Sequence, residues 1–352
     1  MALPEASRIL VLRLGAVGDV VRTLPAARAV REAYPDAHLA WLVEPGAASL
    51  LQGQPWLDAV HVFPRGSLRQ ALRRGRWMGA AAEAGDFLRS VRDARFDLVL
   101  DFHAILKSGL LSWASRAPRR VTYSHPFARE GAAWFATERA ELSPPKQSRF
   151  LRNEGLVRYL GVESAMPAAP LVVPSAARAR ADAALRGERP VAIHPGTSDS
   201  TEHKRWTAEG YAEVAKRLAG AGGPSSIVTV GPASDDRAFA DEIVSRAGGA
   251  ARLAPSTPSL LDLAGLFDAS RLYIGSDTGP MHVASMVGLP VLQLIGPTDP
   301  VENQPFPGTP SRTVREQIAC NPCRRGCAAA TCMKAIRPAS VVEAAEALLA
   351  AP

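Results

Sequence analysis

The stretch Arg8-Ile-Leu-Val-Leu-Arg-Leu14, followed by Gly15-Ala-Val-Gly18 and then Asp19, decides the fold. The apolar run Ile9–Leu12 reads as a short buried strand, the two glycines mark a tight loop, and from Asp19 onward apolar residues recur at helical spacing. The product is a β-loop-α unit.

Working outward, His38-Leu-Ala-Trp-Leu-Val43 and Asp58-Ala-Val-His-Val-Phe63 read as further strands, and a helical stretch ends before Phe96-Asp-Leu-Val-Leu-Asp101. Strands that alternate with helices imply a doubly wound parallel sheet. A Pro-rich passage, Ser143-Pro-Pro145, Met166-Pro-Ala-Ala-Pro170 and Pro174, brackets a helical segment near 148–160 and marks a linker. Beyond it the pattern restarts. Strands are expected at Pro190–His194, Ser226–Val230, Leu272–Gly275 and Val291–Ile295, with helices at Ala208–Ala219, Asp235–Arg246, from Pro280, and at Val341–Ala350. Two Rossmann-like α/β domains joined by a linker make the GT-B architecture, in which the ligand site is an interdomain cleft. The expected boundaries are 1–165, 166–335, and a C-terminal helix, 336–352, packing back on the N-terminal domain.

The composition, 47% hydrophobic and 21% charged over 352 residues, is that of a folded globular chain. Arg and Asp interrupt every apolar stretch short of the roughly 18 to 20 residues a membrane span needs. The same interruption, by Arg13, Asp19 and Arg22, removes the h-region of a signal peptide, so a cytoplasmic protein is expected. Residues 1–150 hold 21 basic and 14 acidic side chains while residues 151–352 hold 20 of each, so the whole excess of +7 lies in the first half. Such a half meets something anionic, or it reflects a GC-rich genome rich in Arg and Ala. Aromatics are 6% of the chain and do not interleave with the basic residues, which argues against nucleic acid.

The loop before Asp19 lacks the full G-x-G-x-x-G fingerprint, which disfavours nicotinamide binding. Asp19 follows the strand where α/β sheets form ligand crevices, and it is also a favoured helix N-cap. Gly275-Ser-Asp-Thr-Gly-Pro-Met-His282 leaves one strand and opens a helix, and the free N–H groups and dipole of that start suit a diphosphate. His194-Pro-Gly-Thr197 leaves another strand, and Lys204-Arg205-Trp206 precedes the next helix; Lys204 can neutralise a departing diphosphate.

Several pieces resemble glycosyltransferase family 9, the heptosyltransferases of lipopolysaccharide inner-core assembly. They are Gly18-Asp19 with Thr23-Leu-Pro-Ala26, Leu100-Asp-Phe-His103 with Leu106-Lys-Ser108, Ala128-Arg-Glu130, His194-Pro-Gly196, Lys204-Arg-Trp206, Asp277-Thr-Gly279 with His282, and Gly296-Pro-Thr-Asp-Pro300. The likeness implies an inverting transfer of heptose from ADP-heptose to Kdo-lipid A, needing no cofactor for its chemistry. Asp19 would be the base and Lys204 the holder of the diphosphate. Thr197, Asp277, Thr278, Gly279 and His282 would join Lys204 on the donor side, with Asp235 or Asp236 meeting the ribose. Gly18, Asp19, Lys107 and Arg129 would face the anionic acceptor at the inner membrane surface. There Arg65, Arg69, Arg73, Arg74, Arg76 and Trp77 would meet phosphorylated lipid or form a solvated helix face. A monomer is expected. Where relatives carry Gln-Gly after the acidic residue, this chain has His103-Ala104.

The other departure is Cys320-x2-Cys323-x3-Cys327-x4-Cys332, which holds all four cysteines. Structural zinc, an iron–sulfur cluster and four reduced thiols all fit such spacing. The competing readings are a heptosyltransferase II type, a family member with another sugar-nucleotide donor, a GT-B epimerase, and a sugar-nucleotide-binding protein without turnover.

Overall fold

The computed structural model describes residues 5–163, 171–323 and 326–351. The chain forms two compact units, 1–170 and 171–352. The boundary expected at 165/166, and the Met166–Pro170 linker with it, lie outside the described residues.

The first unit holds six parallel strands: β1 (Arg8–Leu12), β2 (His38–Val43), β3 (Ala59–Val62), β4 (Leu98–Asp101), β5 (Arg119–Tyr123) and β6 (Glu138–Ala140). Its helices are α1 (Val17–Ala33), α2 (Pro45–Gln52), α3 (Arg65–Arg73), α4 (Trp77–Asp93), α5 (Leu106–Ala114) and α6 (Arg149–Tyr159). The strand order is β3-β2-β1-β4-β5-β6, with Leu12 paired to Asp101 across the centre. The order reverses between β1 and β4, and in open α/β sheets ligands bind beyond the carboxyl ends of the strands at that place. Leu10, Leu12, Ala40, Leu42 and Val99 are fully buried, as strands covered on both faces require.

The second unit repeats the plan with α7 (Ser175–Leu185), β7 (Val191–His194), α8 (Ala208–Ala219), β8 (Ser226–Val228), α9 (Asp236–Ala247), β9 (Ala251–Leu253), α10 (Leu260–Asp268), β10 (Leu272–Ser276), α11 (Gly279–Met286), β11 (Val291–Leu294), β12 (Ser311–Val314), α12 (Thr331–Lys334) and α13 (Pro338–Leu349). Its order, β12-β11-β10-β7-β8-β9, is the same pattern read from the other edge, with the reversal between β7 and β10. Two units of this topology in one chain are the GT-B fold class. The strands β5, β6, β9 and β12 escape a reading by apolar runs: Arg119, Arg120, Glu138, Arg252 and Arg312 lie within them.

The final helix was expected to return to the first domain. Its apolar face belongs to the second unit's core, where Val341, Val342, Ala345 and Leu348 join Trp206, Tyr211 and Leu218. The Trp206 indole donates to the Ile336 carbonyl at 3.2 Å, so the residue before α8 anchors the segment leading into α13.

Candidate active site

In the first unit, α1 starts at Val17, two residues before the expected start, so Gly18 lies inside the first helical turn and not in the loop. Ala16 is the N-cap, and Asp19 sits in the first turn without capping it. Its carboxylate serves ion pairs: Oδ2 meets Arg13 Nη2 at 2.5 Å, and Oδ1 meets Arg22 Nη2 at 2.7 Å and Arg149 Nη1 at 3.0 Å. Burial pushes the carboxyl up, but Arg13, Arg22, Arg149 and Arg152 outweigh burial and hold it well below the usual carboxylate range.

Each arginine is held from a different direction. Arg13 leaves β1 and donates to the Phe102 carbonyl at 2.5 Å. Arg22 is one turn along α1. Arg149 opens α6, which is latched to α1 by the buried Asn153 amide; its nitrogen donates to the Arg22 carbonyl at 2.9 Å, and its oxygen accepts from the Tyr123 hydroxyl at 2.9 Å. Arg152 lies over the rings of Tyr123 and Phe127.

Asp101, at the end of β4, shapes the loop opposite. It accepts the N–H groups of His103 and Ala104 at 2.9 and 3.0 Å and the Ser108 hydroxyl at 2.8 Å; burial, opposed by those bonds, pushes it up to about 6. The loop turns at Ala104 with φ 54°, a left-handed conformation that favours glycine. His103 Nδ1 accepts the Leu14 N–H at 3.3 Å, and burial with the Arg13 charge pushes the imidazole down to about 4.

Lys107 meets Glu44 Oε1 at 2.5 Å and lies over the Phe63 ring, while Arg65 meets Glu44 Oε2 at 2.6 Å. Its charge is therefore already partnered. Arg129 is exposed, with its backbone N–H on the Ala104 carbonyl.

In the second unit Lys204 Nζ meets Asp277 Oδ2 at 2.9 Å, and that oxygen also accepts the Thr298 hydroxyl at 3.0 Å. His282 Nε2, on α11, stands 3.7 Å from Asp277 Oδ1. The loops after β7, β10 and β11 thus converge on one carboxylate at the start of α11, whose N-cap Thr278 and first residues Gly279 and Pro280 carry no side-chain cap. Thr197 Oγ1, three residues past β7 in the same loop, is buried with no hydrogen-bond partner among the described residues.

The three residues of the Lys-Arg-Trp run point to three anchors. Lys204 goes to Asp277, Trp206 to the core, and Arg205 to Asp235 Oδ2 at 2.5 Å and Asp236 Oδ1 at 2.9 Å. Asp236 is buried and faces the loop backbones: a Cβ at Gly231 would lie 2.1 Å from its Oδ2, and one at Gly196 would lie 3.0 Å away. Asp236 thereby holds the loop frame, while Asp235, paired to the same Arg205, is half exposed. His194 is buried on Thr229 Oγ1 at 2.7 Å, with burial pushing it down to about 4.

The cysteine segment buttresses this site. Cys332 and Met333 pack where a Cβ at Gly296 would stand, and the Cys323 N–H donates to the Pro297 carbonyl at 2.8 Å, next to Thr298. Cys332 is buried, which raises its thiol, with Cys323 and Cys320 adding to that, whereas Cys320 and Cys327 are exposed. Among the described residues no three His, Cys, Asp or Glu side chains are grouped to hold a metal ion. The zinc or iron–sulfur expectation at Cys320, Cys323, Cys327 and Cys332 is therefore without support: one thiol is committed to packing and two face solvent.

Sequence reading missed Arg13, Arg22, Arg149 and Arg152. Arg149 and Arg152 share a face of α6 by their spacing, but nothing local ties either to a carboxylate 130 residues away.

Two units of Rossmann order, one with a shielded acid at its switch point and one with a cation at a helix start, define a glycosyltransferase of GT-B type. The family model "Glycosyltransferase family 9 (heptosyltransferase)" matches residues 85–333, and the chain belongs to that family. The chain is 25% identical over 298 residues to the lipopolysaccharide core heptosyltransferase OpsX of Haemophilus influenzae, covering 84% of this chain and 81% of that one. In fold it is similar to a family 9 glycosyltransferase of Veillonella parvula, with TM-score 0.81, 21% identity and 97% of each chain covered. It is likewise similar to E. coli heptosyltransferase WaaC with ADP, with TM-score 0.75, 20% identity, and 97% of this chain and 99% of that one covered.

Proposed function

We propose that the protein transfers L-glycero-D-manno-heptose from ADP-heptose to the Kdo-lipid A inner core, with inversion at the anomeric carbon. The observation that carries this reading is Asp19, a carboxylate kept ionised at the switch point of the first unit by four arginines. In the proposed step the acceptor hydroxyl oxygen bonds to the anomeric carbon, Asp19 takes its proton, and ADP leaves with the electron pair of the broken C–O bond. Lys204 and the N–H groups opening α11 offset the charge gained by the diphosphate. Thr197 Oγ1 is a hydroxyl left to bond the donor, Thr278 and Gly279 present the helix start, and Asp277 with His282 faces the sugar. The basic surround of Asp19, with Lys107 and Arg129 nearby in sequence to the β4 loop, suits the anionic acceptor. ADP as the nucleotide is supported by the family relatives.

The test is ADP release from ADP-heptose with Kdo-lipid A by wild type and Asp19→Asn. Loss of turnover with ADP binding retained is expected; unchanged turnover would sink the base assignment. Stabilisation by ADP beyond that by UDP, read as a thermal shift, separates this donor from the UDP-sugar reading, because a ligand stabilises by RT ln(1 + [L]/Kd).

A lipid-linked acceptor also accounts for one surface of the first unit. No residue of α3 is buried, Arg69, Arg73, Arg74 and Arg76 have no carboxylate partner among the described residues, and Trp77, Met78, Trp113 and Trp134 are exposed, Met78 by 90%. Arginines next in sequence to the exposed Trp77 and Met78 suit the interface of an anionic membrane. No helix among the described residues is long and apolar enough to cross one. Sedimentation with phosphatidylglycerol vesicles but not with phosphatidylcholine vesicles is the expected result.

A further inference from the structure

Asp19 makes ion pairs with three arginines, and they are not equivalent. Arg13 and Arg22 are 6% exposed. Arg13 is also fixed by the Phe102 carbonyl. Arg149 is 31% exposed, lies on α6, and has Asp19 as its one ion-pair partner among the described residues, at 3.0 Å, the longest of the three contacts. The Oδ1 that Arg149 touches already accepts from Arg22. An oxygen so occupied has little room for a hydroxyl proton, and the surrounding cations lower its affinity for one. Around the carboxylate stand Arg13 from the end of β1, Arg22 from α1, Arg149 and Arg152 from α6, and the neutral His103 from the loop after β4. Of the three arginines in contact with the carboxylate, Arg149 is the most exposed, and so the one that an incoming anion can reach and move.

We infer that Arg149 is a positioning residue: an anionic group of the acceptor, a carboxylate or a phosphate, takes the Arg149 guanidinium in place of Asp19 and so frees Asp19 Oδ1 to receive the acceptor's hydroxyl proton. Guanidinium recognises both groups with paired N–H donors, so the exchange replaces one charge-assisted pair with another. The proton passes from acceptor oxygen to Asp19, that oxygen bonds to the anomeric carbon, and the diphosphate departs with the electrons of the broken bond. The acceptor's charge thereby enters kcat as well as binding. This inference rests on Asp19 being the base.

Three acceptors test it: native Kdo-lipid A, the same lipid with the Kdo carboxylate reduced to an alcohol, and the same lipid dephosphorylated. Wild type is expected to lose kcat on whichever lacks the group that Arg149 reads, by roughly tenfold or more, the size expected when one contact cation stays on a carboxylate. In Arg149→Gln that discrimination should collapse, with kcat for native and neutralised acceptors approaching one value, and the acid limb of kcat/KM should move to higher pH than in wild type. Arg149→Lys should restore part of the discrimination. An Arg149→Gln enzyme that binds ADP normally and keeps the full wild-type ratio between acceptors overturns the inference, as does a wild type that does not discriminate. Turnover by Asp19→Asn, measured in parallel, would instead overturn the base reading beneath it.

Discussion

The loops leaving β1 and β7 occupy the same place in two sheets of the same strand order, yet their charges are arranged in opposite ways. After β1 one carboxylate, Asp19, is outnumbered by Arg13, Arg22, Arg149 and Arg152. After β7 one cation, Lys204, is matched by one carboxylate, Asp277, which also holds Thr298. The first centre has a surplus of positive charge to offer an anion. The second is balanced, and in the proposed function its attraction for a diphosphate would come from the helix start and from Lys204 being placed beforehand. One topology thus serves two jobs, because a switch point supplies a position and the side chains supply the chemistry.

The comparison breaks first at Asp19. Asp19→Asn should lower turnover by about 10²–10⁴-fold, the range of a lost general base, while ADP affinity measured by calorimetry stays near wild type. Lys204→Ala should do the reverse in binding: ADP affinity falls, and kcat/KM drops by roughly 10²-fold as charge stabilisation of the leaving group is lost. Equal loss of ADP binding in both variants would erase the division between the two centres.

Trp206→Ala tests whether the Lys204 side depends on its own core. Removing a buried indole that bonds the Ile336 carbonyl should cost about 3–5 kcal/mol in urea unfolding of the second unit. The pH dependence of stability sharpens the first centre. Asp19's carboxyl lies below its ordinary value, so the folded state binds fewer protons there than the unfolded chain. Its contribution is full above about pH 4 and is lost as pH falls through the depressed value, so the stability gap between wild type and Asp19→Asn should narrow on acidification. The smallest effect belongs to Ala104→Gly. Relief of the left-handed conformation at φ 54° exceeds the added chain entropy, and a gain of up to about 1 kcal/mol is expected.

Legibility followed the length of the apolar runs. β1, β2, β7 and β10 could be read because Ile9–Leu12, Leu39–Val43, Val191–Ile193 and Leu272–Ile274 are continuous apolar segments. β6 and β12, with Glu138, Arg139 and Arg312, carry no such signal because edge strands can face solvent. The centres divide in the same way. Asp19, Lys204 and Asp277 stand out in short motifs at strand ends, whereas Arg149 shows only as a helix residue after Pro144 and Pro145.

By itself the sequence determined that two α/β units follow one another, that family 9 motifs sit at their strand ends, and that the surplus charge belongs to the first. Those properties are local or additive, and they can be counted along the chain. Only the tertiary structure decided that Asp19 is held by arginines and does not cap α1, that Asp236 holds loop backbone, that α13 joins the second core, and that Cys323 and Cys332 buttress the Thr298 loop. Each of these is a choice of partner across long stretches of chain, set by which helices pack together, and no residue's own type or spacing records it.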